Sequence, residues 1–256
     1  MSEVLEKVAG INQLPIFPLP LVMLPNEILP LHIFEERYQQ MLRDVEATNK
    51  MFGVVFFEPV EDFVDRPKTG TIGCVAEIRD TDMLEDGRAN IVTLGVVRFR
   101  VLDYIDEGEP YLVGEVEFFE DDEADTVETD GPADEVFELF QRIAKAAFKM
   151  SGGRGKLPEI HRGDPEQLSF LVTAAFNFEN ELKYRLLEMT STSERLEKLR
   201  EILKKMVGQM EESGISTQCP KRTATARKNS IFSSAGHLER NRSHADRTTR
   251  FVPARR

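Results

Sequence analysis

The chain has 256 residues, 41% of them apolar and 30% charged, and a formal net charge of −12. These values suit a soluble globular protein of one large domain or two small ones. No run approaches the roughly 20 apolar residues of a membrane-spanning helix, and the start MSEVLEKVAG lacks the basic n-region and apolar centre of a secretory signal. The charge is unevenly spread. Residues 214–256 carry ten Lys/Arg against Glu239 and Asp246, which leaves −20 on residues 1–213. An acidic body repels phosphate, which argues against nucleic acid as its ligand.

The first zone, residues 12–120, is β-rich. LPIFPLP (14–20) is an extended, proline-punctuated opening, and ILPLHI (28–33) is a short strand. From Phe34 onward, Tyr38, Met41, Leu42 and Val45 recur at helical spacing, so one helix interrupts the strands. MFGVVFFE (51–58) is a continuous apolar run of strand length, expected to be buried on both faces. GTIGCVAEIRD (70–80) alternates, with Ile72, Cys74, Ala76 and Ile78 on one face. The Asp-Gly pair in EDG (85–87) suits a tight hairpin before RANIVTLGVVRFRVLDYI (88–105), where Val97, Phe99 and Val101 share one face and Arg98 and Arg100 the other. YLVGEVEFFE (111–120) alternates again.

Residues 120–135 are acidic, contain Gly131-Pro132 and suggest a solvated linker. They do not form a calcium loop, because aligning Gly131 to the required glycine puts Thr126 where the first aspartate should stand. Residues 133–212 are expected to be helical. Val136, Phe137, Phe140, Ile143, Ala144 and Ala147 form one stripe; Asp164-Pro165 is a strong helix start; Ser191 and Glu194 have capping-box spacing; and Leu196, Leu199, Ile202, Leu203, Met206 and Met210 form the last stripe. Residues 213–256 are rich in Ser, Thr and Arg, lack periodicity and should be a basic disordered tail.

Familiar catalytic chemistry is missing. SGGRGKLP (151–158) is too short between Gly152 and Lys156 for a phosphate loop, and no GxSxG or HExxH occurs. Cys74 and Cys219 form neither a metal-ligand spacing nor a disulfide framework. The stretch LPLHIFEERY (29–38) could place His32 as a base beside Glu35 or Glu36, but no Ser or Cys nucleophile lies in the surrounding ten residues. A structural corner explains more of it. Pro30 keeps Leu29 extended, Glu35 and Glu36 suit a helix N-terminus, and Phe34 and Tyr38 would lock that helix onto the sheet. No catalytic residue, metal site or cofactor is expected.

The order LPIFPLPLVMLPNEILPLHIFEERYQQML, FGVVFFEP, GTIGCVAEIRD, GRANIVTLGVVRFRVLDY and PYLVGEVE resembles the N-terminal substrate-binding domain of the Lon ATP-dependent protease. The helical part ending LLEMTSTSERLEKLREIL resembles the helices that follow in that domain, so the likeness spans about 12–205. It implies an α+β fold: a PUA-like β-barrel with one inserted helix at 12–120, a helical subdomain at 133–212, then the tail. It also implies polypeptide recognition. The chain lacks a Walker motif and a serine–lysine dyad, so it is similar to stand-alone members of bacteria and plastids that lack the ATPase and protease domains. A reducing compartment, cytoplasm or plastid stroma, follows from the resemblance and the cysteine usage.

The leading expectation is a non-catalytic module that binds unfolded or client polypeptides, or an adaptor to a separate protease or chaperone. Its candidate binding residues are Phe56, Phe57, Phe63, Phe118 and Phe119, since alternation aims one ring of each adjacent pair outward. The alternative is an RNA-binding PUA-like protein using Arg98 and Arg100, with Arg79 nearby. Nothing in the sequence fixes an oligomeric state.

Overall fold

The computed structural model describes residues 2–58, 66–106, 108–122, 129–150 and 161–215. The expected loop at 151–158, Phe63, Cys219 and almost all of the basic tail lie outside them. Residues Met1–Thr217 form one compact unit. In chain order it contains α1 (Glu3–Lys7), β1 (Gln13–Leu19), β2 (Ile28–Ile33), α2 (Glu36–Glu46), β3 (Met51–Phe56), β4 (Ile72–Met83), β5 (Ala89–Ile105), β6 (Leu112–Phe119), α3 (Asp130–Met150), α4 (Pro165–Ala175), α5 (Asn180–Glu188) and α6 (Thr192–Ile215).

The strands form one sheet in the order β2-β5-β4-β3-β1-β6, and β6 also pairs with β5. Five strands therefore close into a barrel, while β2 hangs outside it on the upstream half of β5. The β1–β3 pair is parallel and the other pairings are antiparallel. Barrel closure leaves little room inside. A methyl group at Gly53 would lie 2.4 Å from Phe99 Cζ, and one at Gly73 would lie 2.7 Å from it. Glycine at these strand positions lets the Phe99 ring fill the interior. Leu14, Ile16, Val55, Val75, Val97 and Val101 complete that core.

The sequence signals explain the local structure. Gly87 has φ +84° and its N–H donates to the Leu84 carbonyl at 3.1 Å, closing the expected hairpin between β4 and β5. β3 is buried on both faces: Phe52 and Val54 face the α2 side, Met51 and Val55 the barrel. α2 packs through Tyr38, Met41, Leu42 and Val45. Phe34 does not join them. It precedes the helix, is 60% exposed and stacks on His32, so Tyr38 does the anchoring and Phe34 is left outside. α4 is capped by Asp164, whose Oδ1 accepts from the Gln167 N–H at 2.9 Å, and Ser191 Oγ accepts from the Glu194 N–H at 3.1 Å at the head of α6.

Of the acidic stretch expected as a solvated linker, residues 123–128 lie outside the described residues, and both described ends are built into the fold. α3 already begins at Asp130 and runs through Gly131-Pro132, which a first helical turn tolerates because its N–H groups need no helical acceptor. More importantly, the Asp121 side chain is only 8% exposed. It ion-pairs with Arg98 of β5 and Arg195 of α6, both essentially inaccessible, and accepts a hydrogen bond from Thr192. Arg98 also donates to the carbonyls of Leu187 (3.1 Å) and Met189 (2.6 Å); Arg195 donates to the Met189 carbonyl at 2.8 Å and to Ser169 Oγ at 2.7 Å. The Phe170 ring lies beneath both guanidinium groups, 5.3 Å and 4.1 Å away. One carboxylate thus joins barrel and helices, and Arg98, on the face opposite Val97 and Phe99 as expected, is covered by the helical layer.

Removing one member of a buried ion network strands the others without a partner, at a cost of about 3–5 kcal/mol. Asp121→Asn is expected to lose stability in that range by equilibrium denaturation, whereas exposed Asp86→Asn should change it little. Glu166 of α4, 3.9 Å from Arg98, offers a pH test. Burial, and next the Asp121 charge, push its carboxyl from the usual 4.5 to about 7. The folded state therefore binds the proton more tightly than the unfolded state, so this group's contribution is full below pH 4.5 and is lost as pH rises to about 7. Denaturation midpoints measured across pH should show Glu166→Gln gaining on the wild type between those values; parallel curves would contradict this.

Candidate functional site

His32 sits on the outward face of β2, where its Nδ1–H donates to Asn90 Oδ1 at 2.8 Å across the β2–β5 pair. Its neighbour Phe34 stacks on it, with ring centroids 6.0 Å apart. This is cross-strand pairing, with an amide partner in place of a nucleophile. Among the described residues no group of three or more His, Cys, Asp or Glu side chains could hold a metal ion. Cys74 is buried, and burial pushes its thiol well above the ordinary range. His161 is exposed ahead of α4.

The four described phenylalanines of the expected binding set are half-buried. Phe118 packs on the barrel interior, while Phe119 and Phe56 pack on the cluster formed with Phe170 and Leu187. The Phe56 ring lies 6.1 Å from that of Tyr184, and Phe119 lies under Arg98 at 4.7 Å. Phe57 continues the β3 line, its N–H donating to the Leu19 carbonyl at 2.8 Å. In β6 the adjacent rings Phe118 and Phe119 turn to opposite faces, and Phe56 and Phe119 lie partly under the helical layer while staying half-buried.

Two depressions flank the helical layer. A cleft of about 360 Å³ is lined by Val96, Arg98, Phe119, Glu120, Glu166 and Phe170 among others. It backs onto the Asp121 network. A wider groove of about 760 Å³ runs between α5 and α6, with Leu182, Leu186 and Met189 beside Arg185, Glu197 and Lys198.

A third surface arises from the pairing of β2, β5 and β4. Directly opposed residues on neighbouring strands point to the same face. Ile28 pairs with Leu94 and Leu94 with Glu77; Pro30 pairs with Val92 and Val92 with Asp80; His32 pairs with Asn90 and Asn90 with Asp82. The result is a three-by-three grid, apolar at Ile28, Pro30, Val92 and Leu94, polar at His32 and Asn90, and acidic along β4. Ile28 is 68% exposed, Pro30 is exposed, and Val92 and Leu94 are half-buried; Phe34 extends the apolar edge. Lys7 of α1 borders the grid through its 2.8 Å ion pair with Glu77, which Arg79 also contacts at 2.9 Å. The sequence places each strand, but only the register brings Ile28, Val92 and Asp80 together.

The family model of the ATP-dependent protease La (LON) substrate-binding domain matches residues 13–205. Among curated proteins, the chain is 27% identical over 190 residues to the Lon protease of Dictyoglomus thermophilum and 26% identical over 217 residues to that of Aquifex aeolicus. These matches cover 73% and 79% of this chain but 23% and 26% of the relatives, so the chain spans about a quarter of their length. The solved Lon N-terminal domain protein from Xanthomonas campestris superposes with a TM-score of 0.55 at 26% identity, covering 74% of this chain and 97% of that one. The N-terminal domain of Mycobacterium avium complex Lon protease gives 0.56 at 20% identity, covering 75% and 98%, a likeness of fold alone. Among the described residues no helix is long and apolar enough to cross a membrane. With its barrel, inserted helix and helical layer matched over residues 13–205, the chain belongs to the LON substrate-binding domain family.

Proposed function

We propose that this chain is a non-catalytic polypeptide-binding module that holds unfolded or client polypeptides, either for their own sake or as an adaptor in proteolysis. The observation that carries the reading is the grid on β2, β5 and β4. It exposes Ile28 and Phe34 on a rigid sheet beside half-buried Val92 and Leu94, and contiguous exposed apolar surface marks interaction sites. The printed description of the family model, a substrate-binding domain of an ATP-dependent protease, supports the same reading. Phe57 and Phe119, half-buried beside more exposed positions, are secondary contributors in this proposal.

The RNA reading rests on fewer groups. Arg98 is enclosed by Asp121 and two carbonyls, Arg79 is paired with Glu77, and residues 1–213 carry −20; Arg100 stays exposed. Fluorescence anisotropy of the full chain separates the two. A labelled, reduced and carboxymethylated protein should bind saturably and keep its affinity at moderate salt, while mixed-sequence RNA should dissociate as salt rises. Salt-resistant binding of RNA with none of the polypeptide would overturn the proposal.

A further inference from the structure

We infer that β2 is an acceptor edge for one extended polypeptide segment in which apolar and basic residues alternate, docked by strand addition and favoured by the acidic charge of the chain around it. The inference rests on the polypeptide-binding reading above and names its site and substrate class.

Three observations lead there. First, β2 ends the sheet, and among the described residues no strand pairs with its outer edge. The Gly95 N–H donates to the Glu27 carbonyl at 2.9 Å, and the register continues without a shift from Ile28↔Leu94 to Ile33↔Ala89. In an antiparallel ladder hydrogen-bonded and non-hydrogen-bonded pairs alternate. Leu29, Leu31 and Ile33 therefore turn their backbone groups to β5. Ile28, Pro30 and His32 turn theirs to the open edge. The Thr93 hydroxyl, donating to the Leu29 carbonyl at 2.8 Å, agrees with this phase.

Second, the open edge belongs to Ile28, Pro30 and His32, whose side chains lie on the exposed face, Ile28 and Pro30 being apolar. An added strand meets the N–H groups of Ile28 and His32, and the carbonyls of all three, while its alternate side chains lie along Ile28, Pro30 and Phe34. Main-chain bonds then supply affinity and alternate side chains supply selectivity. Pro30 offers no N–H at the centre of the edge, which discourages promiscuous strand pairing and leaves the side-chain face to decide what stays.

Third, the charge is one-sided. Residues 1–213 carry −20; Glu35, paired with Arg37 at 2.8 Å, and exposed Glu36 follow Phe34 past the end of β2, and Asp80 and Asp82 are exposed on β4, two strands in from the open edge. Lys7 and Arg79 are both drawn to Glu77, at the other end of the row. An extended segment with basic residues interleaved among apolar ones complements this pattern; an acidic one is repelled.

The test uses the full chain and two labelled probes in parallel: a twelve-residue Val-Lys repeat peptide, and the reduced, carboxymethylated protein used above. Ile28→Asp and Phe34→Asp alter exposed side chains, and unchanged thermal midpoints confirm their folding. Each should weaken both probes by about tenfold or more, as loss of a central apolar contact does. Glu36→Lys, just past the end of β2, should weaken the Val-Lys peptide and strengthen a Val-Glu repeat. A Val-Lys peptide N-methylated at every residue should lose binding on the wild type. If the unfolded protein binds and neither Ile28→Asp nor Phe34→Asp affects it, the β2 site is wrong while the polypeptide-binding reading stands. If neither probe binds at all, both fall.

Discussion

The Asp121 carboxylate is the contact on which the arrangement of this molecule depends. It lies just past β6, at the point where the sheet hands over to the helices, and it accepts from Arg98 of the barrel and Arg195 of the last helix at once. Buried guanidinium groups are tolerated only when charge and donors are both satisfied. Here the carbonyls of Leu187 and Met189, Ser169, Thr192 and the Phe170 face complete the set. The same contacts fix α4, α5 and α6 over the barrel. The cluster of Val22, Leu24, Ile72, Phe170 and Leu187 is the apolar seal around them.

That placement determines what remains open. Between Gly95 and Arg98 β5 has one more residue than β4 has between Cys74 and Ala76, so the alternation changes phase there. One face of β5 carries Ala89 and Ile91 under α2 and Arg98 under the later helices. The other carries Val97, Phe99 and Val101 into the barrel, and on the upstream side of the bulge it carries Asn90, Val92 and Leu94. Downstream, β6 pairs with β5 and the barrel closes over that face; upstream β2 is the partner, and closure stops. The exposed grid is the unclosed continuation of the barrel lining. Its apolar character is inherited from a strand face that is core a few residues later, and its acidic border comes from Asp80 and Asp82 beyond the second β4 irregularity.

Much of this could be read from the residues. The strands, the hairpin at Gly87, the inserted helix through Tyr38 and Met41, and the caps at Asp164 and Ser191 are local, and each rests on a spacing of a few positions. The segments that carry the Lon resemblance lie on these same elements. The Asp121 network was not legible, because its members come from positions 98, 121 and 195 and each looks locally like a surface charge. Arg98 follows the alternation faithfully; the covering helix is what the strand pattern lacks. Phe34 looks like the first member of the α2 stripe, yet Glu35 is the cap and the ring swings outward over His32. The β2 grid depends on register and on two bulges, which side-chain alternation within one strand does not encode.

The central claim is that polypeptide is held on the open edge and face of β2. Amide hydrogen exchange, with and without saturating unfolded polypeptide, reads this directly, because strand addition puts new hydrogen bonds on named N–H groups. The account predicts that the amides of Ile28 and His32 slow on binding, while those of Leu29, Leu31 and Ile33, already paired with β5, change far less. Protection confined to the groove between α5 and α6, or to the cleft beside Glu166, with none on β2, would contradict it.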